Sequence, residues 1–289
     1  MSSESYRHHY IPKFYLKRWT GPDGKLVVFL RQHHGIAARL KTPSQTGWEP
    51  RLYSTSLQTK GTPDQLERGF MAPLDDVAAE VADIMVTRAG GSVELDRRHR
   101  DGWTRFLMSL MHRSPARVAA IKAQFADVFD QTPVVVTSEH RVEYERLRQR
   151  DWPASVEDYL ESKRTESVEQ GGLIMIARLA DSEMLGTHLN GMVQQVIRLT
   201  GKTKLLLTSD QPLVVSGGLG DPNTFLMLAL SPHHLFLSTN TETRMGTILA
   251  QVASGRVVLE NNASVVRNAE RFAYGSSEAE FAFVKTHFQ

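Results

Sequence analysis

The 289-residue chain contains no cysteine. That absence excludes disulfides, thiolate zinc sites, iron–sulfur clusters and cysteine nucleophiles. Long apolar runs are also missing: the best, Phe225 to Leu230, has the length of a strand, so no membrane association is expected. Blocks of like charge and low-complexity stretches are missing as well, so a disordered or fibrous chain is not expected. The polar opening Met1-Ser2-Ser3-Glu4-Ser5 has no signal-peptide core, and the expected setting is the cytoplasm. Several catalytic signatures are absent too: Gly-x-Ser-x-Gly, His-Glu-x-x-His, a Walker loop and a strand-linked Gly-x-Gly-x-x-Gly. Gly217-Gly218-Leu219-Gly220 precedes Asp221-Pro222 rather than a helix start, and reads as a loop between strands.

What remains is an ordinary globular composition, 41% hydrophobic and 23% charged, long enough to bury a substantial core. Net charge is only +2, yet residues 1–60 hold ten Lys/Arg against three acids, a local +7 that leaves −5 over the rest. Such asymmetry fits an N-terminal region that faces a polyanion, but with no dense Lys/Arg run the favoured reading is a basic segment docked on an acidic body of the same fold.

Along the chain, Arg7 to Trp19 reads as a short aromatic turn or helix tied to the body. Leu26 to Leu30 follows the turn signal Pro22-Asp23-Gly24 and predicts a strand, with Ile36 to Leu40 as hairpin partner. A Pro-, Gly-, Ser- and Thr-rich loop covers 42–62. Helices then dominate residues 63–200. Pro63-Asp64-Gln65 opens the first, Pro73 kinks or restarts it, and Asp96 starts a helix lined by Trp103, Phe106, Leu107 and Leu110. Ser114-Pro115 reads as the N-cap and first turn of the next. Residues 139–169 predict two polar helices parted by Asp151-Trp152-Pro153, and Gly171 to Thr200 reads as helix again. The C-terminal part, 203–275, turns strand-rich: Lys204 to Leu207, Leu213 to Val215, Phe225 to Leu230, Leu235 to Leu237 and Arg271 to Tyr274, with helices near 241–255, 260–270 and the C-terminal end. The expectation is a single α+β domain over 1–289, mainly helical. One mixed or antiparallel sheet would be built from N- and C-terminal strands around a helical middle.

Three local patterns bear on chemistry. Adjacent pairs His8-His9, His33-His34 and His233-His234 place neighbouring rings on opposite faces of a strand, so a zinc site would need histidines from different pairs plus a carboxylate such as Asp210. Arg113 and Arg117 flank the helix start at Ser114-Pro115, where amides and dipole favour an anion; an internal salt bridge explains them equally well. Thr208-Ser209-Asp210-Gln211-Pro212 ends an apolar strand and puts Asp210 at a loop tip, a position suited to catalysis, although taken alone the segment reads first as an ordinary turn.

Together these segments resemble a bacterial family, domain of unknown function 4238. His8 to Trp19 is similar to that family's N-terminal signature, Arg113-Ser114-Pro115 to its middle Arg-x-Pro, and Thr208 to Val214 to its Thr-Ser-Asp-Asn-Pro-Val stretch. Ala229-Leu230-Ser231-Pro232 follows in the same order. Gln211 and Trp19 depart from the usual Asn and Phe. The resemblance carries no activity with it, but it singles out His9, Tyr15, Arg113 and Asp210.

Read as chemistry, His9, Asp210 and Tyr15 would form a catalytic set, and Arg113, Arg117 and Ser209 would hold an anion, with a divalent metal as candidate cofactor. That describes a phosphodiester hydrolase whose partner is nucleic acid or another phosphate-bearing ligand. The alternative is a non-catalytic partner- or ligand-binding module in which the same polar cluster is structural. In the first case the cluster opens into a cleft. In the second it is closed and paired.

Overall fold

A computed structural model describes residues 7–33, 35–54, 66–90, 94–132, 135–200 and 204–288. The chain begins with β1 (Arg7–His9), the short helix α1 (Lys13–Leu16), the hairpin strands β2 (Leu26–Gln32) and β3 (Gly35–Lys41), and β4 (Trp48–Pro50). Six helices follow: α2 (Ala72–Thr87), α3 (Arg97–His112), α4 (Pro115–Gln131), α5 (Ser138–Leu147), α6 (Val156–Ala180) and α7 (Glu183–Gly191). Then come β5 (Val193–Arg198), β6 (Thr208–Ser209), β7 (Leu213–Val215), β8 (Phe225–Ser231) and β9 (His234–Thr239). The C-terminal end carries α8 (Glu242–Leu249), α9 (Arg256–Arg267), β10 (Phe272–Gly275) and α10 (Phe281–His287). This is an α+β fold with a helical middle.

Several helices, α3 and α4 among them, start where a side chain satisfies a free amide. Asp96 accepts the backbone N–H of His99 at 2.9 Å to open α3, and Ser114 accepts that of Arg117 at 3.3 Å to open α4, with Pro115 in the first turn. A wide, π-type turn over Glu67–Met71 leads into α2, which restarts at Ala72 with Pro73 in its first turn. The start expected at Pro63-Asp64-Gln65 lies outside the described residues. Among the described residues, no helix is long and apolar enough to cross a membrane.

Among the described residues the strands form three antiparallel sheets rather than one. β1 pairs with β4, the order β3-β2-β10-β6 makes a second sheet, and β5-β9-β8-β7 a third. The second joins the two ends of the chain, with Phe272 opposite Leu30 and Gly275 opposite Val27. Further expectations differ from the structure: Arg7–His9 is a strand rather than part of a turn or helix, and α6 runs unbroken past Gly171, where a new helix was expected. The run after Gly191 is not helix: β5 pairs along its length with β9, as its β-branched Val193, Val196 and Ile197 favour. The apolar residues before Thr208 form no strand; Leu206 N donates to Pro232 O at 3.0 Å, and side chains satisfy their neighbours. Asn262 accepts from Leu207 N at 2.9 Å and donates to Leu205 O at 2.8 Å, and Trp19 Nε1 donates to Leu206 O at 3.0 Å.

One apolar cluster runs from Tyr10 and Trp19 through α2 and α3 to β8, β9, α9 and Phe288. Phe29, Phe106 and Phe236 are fully buried in it, each contributing about 1.5–3 kcal/mol through burial. Trp103 meets Phe236 edge-on at 5.4 Å between ring centroids, which seats α3 on the β8–β9 hairpin.

Candidate functional site

The family-like segments meet where the start of β10 passes the end of β6. Asp210 follows β6, its own amide bonded to Phe272 O at 2.9 Å. Its carboxylate accepts three backbone N–H groups in turn, from Glu270 (2.8 Å), Arg271 (2.7 Å) and Phe272 (2.9 Å). Glu270, just before β10, accepts from Ser114 Oγ at 2.8 Å and from Gln211 Nε2 at 2.6 Å. The α3–α4 junction, the Asp210 loop and the approach to β10 are thereby tied at one carboxylate.

Arg113 ends α3 and is almost completely buried. It grips Asp75 of α2 bidentately, at 2.8 and 3.0 Å, and donates to the carbonyl of His9 at 3.2 Å. Its own carbonyl accepts from Tyr53 Oη at 2.8 Å. Burial opposes charge on both partners of the pair, pushing the Asp75 carboxyl up. Attraction to Asp75 outweighs that penalty at Arg113 and leaves its guanidinium firmly protonated. Of the two balanced readings of this arginine, the geometry is that of an internal salt bridge. Arg117, one turn into α4, is exposed and does not share the cluster.

Tyr15 is buried in α1. Its hydroxyl donates to Ala229 O at 2.8 Å and, its single proton so used, accepts from Thr208 Oγ1 at 2.8 Å. Ser209 is buried, and its hydroxyl accepts from Gln211 N at 3.0 Å, closing the turn before Pro212. His9 lies on β1, directly across from Trp48 of β4. Burial first, then the charge of Lys13, lowers its pKa to about 4, so the ring is neutral, and its Nε2 has no hydrogen-bond partner among the described residues. The neighbouring His8 ring points away, accepting from Tyr53 N at 3.0 Å and stacking on the Tyr53 ring.

His9 and Arg113 are therefore joined through a main-chain carbonyl, and Asp210 is linked to Arg113's neighbour Ser114 through Glu270. The three side chains do not form one proton-transfer set. Asp210 is 2% exposed, and burial raises its pKa to about 6 against the pull of its three amides. Among the described residues, no group of three or more His, Asp or Glu stands where it could hold a metal ion. His34 lies outside them, and His234 bonds Ser231 Oγ at 2.8 Å.

Sequence reasoning missed Asp75, Glu270 and Tyr10. Tyr10 carried a signal, being inside the N-terminal family-like segment. Its hydroxyl is buried without a hydrogen-bond partner, and burial followed by the nearby Asp210 charge raises its pKa. Asp75 and Glu270 are solitary acids in helical or turn sequence, and nothing local distinguishes them from solvated ones.

Neither a curated protein nor a solved structure matches the chain. The profile of one family, described as protein of unknown function (DUF4238), matches residues 7–279. The match contains every segment that meets at Glu270, and the chain belongs to the DUF4238 family.

Proposed function

We propose that the chain is a ligand- or partner-binding module rather than a catalyst, and that its family-like polar residues are structural. The observation that carries this reading is the saturation of Asp210. A carboxylate that accepts three main-chain amides and is 2% exposed has little freedom to take a proton from a substrate or bind a cation. Arg113 is committed in the same way, to Asp75 and the His9 carbonyl. These bonds fasten the N-terminal segment, α3, α4 and β10 to one another. Arg113 Nε and His9 Nε2 lack partners among the described residues, but the charged groups at the centre are paired, and a buried network paired in that way favours one arrangement of such elements. A hydrolase would need the same groups to face a cleft.

The test compares turnover with stability. The full-length protein is assayed against an activated phosphodiester with magnesium, manganese or zinc, beside Asp210→Ala and Arg113→Ala. The expected result is no turnover above background and a fall in melting temperature for both variants. Turnover by the wild type that Asp210→Ala abolishes at unchanged melting temperature would overturn the reading.

A further inference from the structure

Several exposed arginines on this protein face a carboxylate: Arg98 pairs with Glu80, Arg105 with Asp181, Arg141 with Glu157 and Arg256 with Glu260. The groove between the β1–β4 ribbon and the β2–β3 hairpin is different. It measures about 610 Å³ and, among the described residues, is lined by Arg7, Arg39, Lys41, Trp48, Leu30, Leu40 and Gln45, three cations and no acid. Arg7 stacks over Trp48, 4.5 Å from the ring centroid. Arg39 bonds only locally, to the carbonyl of Ala38 at 3.1 Å. Lys41 sits 5.9 Å from the centre of the Phe272 ring. Arg39 and Lys41 stand opposite Val28 and Leu26 in the hairpin register, so alternation sends both from the same face of β3. Gathering like charges costs energy unless an anion joins them.

A second observation points to the same place. His9 is the cross-strand neighbour of Trp48 and shares its face of the ribbon. It is 9% exposed, and its Nε2 has no partner among the described residues. His9 does not itself line the groove, but it belongs to the ribbon that supplies Arg7 and Trp48 to one wall.

We propose that this groove binds single-stranded nucleic acid, its phosphates held by Arg7, Arg39 and Lys41 and a base stacked against Trp48. Cations along a groove with an aromatic platform are what a single strand requires. Trp48 is half-buried, lines the groove and carries Arg7 over its ring, and stacking on an indole needs no particular base sequence. The proposal deepens the binding-module reading and rests on it.

Fluorescence anisotropy of a fluorescein-labelled oligothymidylate titrated with the full chain tests it. Binding is expected at about 50 mM salt. Three phosphate contacts weaken it roughly 20-fold by about 200 mM. Arg39→Glu combined with Lys41→Glu, both at the hairpin surface, should weaken it at least about tenfold with melting temperature unchanged. Trp48→Leu should cost a further loss of about tenfold. No binding at low salt, binding insensitive to salt, or binding unaffected by the charge reversals would overturn the proposal. Equal affinity for a duplex, or for a phosphorylated peptide of the same charge, would overturn the single-strand assignment. Cleavage of the bound oligonucleotide would instead sink the non-catalytic reading while leaving the groove in place, so the two failures are told apart.

Discussion

Arg113 illustrates how a residue can be visible in a sequence while its role is not. Its position at a helix junction and its place in a family-like triplet marked it out. Whether it faced a ligand or an internal acid depended on Asp75, 38 positions away, with no sequence signal of its own. The pair makes a sharp prediction. Arg113→Ala strands Asp75 and should destabilise by about 3–5 kcal/mol, whereas replacing both partners together with apolar residues should cost much less. Urea denaturation of the two single variants and the double variant measures the difference, and equal losses in single and double variants would deny the coupling.

His9 and Asp210 yield a prediction in pH. The folded His9 takes its proton near pH 4 rather than 6.5, so between those values the unfolded chain holds more protons and stability falls on acidification. Asp210 has the opposite sign. Its folded pKa is about 6 against 3.8, so between those values the folded state holds the extra proton and stability rises on acidification. Each effect approaches about 3 kcal/mol, and the windows overlap. The two contributions should therefore nearly cancel in the wild type. Melting temperature followed between pH 7 and 4 should rise for His9→Gln relative to wild type and fall for Asp210→Asn. Parallel profiles for all three proteins would contradict the assignment.

Among the elements, those with caps or strong periodicity were legible. Asp96 and Ser114 begin α3 and α4 as their sequences require. Asp151-Trp152-Pro153 separates α5 from α6. The misread elements are those whose partners are distant. Nothing near Val193 reveals β9, and nothing near Leu205 reveals that Asn262 will satisfy its backbone. The polar cluster was half legible for the same reason: its contributing segments could be named, but Glu270, where they meet, could not.

Gly47 is a small element-level test. It adopts φ +65°, and a Cβ there would lie 3.1 Å from Ile11 Cβ and 3.3 Å from Leu16, while its carbonyl accepts from Ile11 N at 3.1 Å. Gly47→Ala adds backbone strain to crowding and should destabilise by about 1–3 kcal/mol. It should also weaken protection of the Ile11 amide in hydrogen exchange. An unchanged melting temperature would show that the ribbon is not held against α1 in this way.

At the scale of the whole molecule, the sheet β3-β2-β10-β6 draws strands from both ends of the chain. We expect the chain to unfold as a unit in consequence, and removal of residues 270–289 to abolish the cooperative transition instead of leaving a folded core. Thermal unfolding of that truncation monitored by circular dichroism decides the matter. A sharp transition near the wild-type temperature would show that the N-terminal hairpin stands without β10.

The joining of β2 to β10 also orders events during synthesis. Val27 to Leu30 have their partners at Phe272 to Gly275, and Trp19 has its hydrogen-bond partner at Leu206. The apolar N-terminal hairpin thus leaves the ribosome long before the strand that covers it. At about 5–20 residues per second, some 240 intervening residues take roughly 12–50 s to emerge. For that interval Val27 and Phe29, fully covered in the finished protein, are open to other contacts. A nascent chain of this design has reason to recruit a chaperone early and release it late.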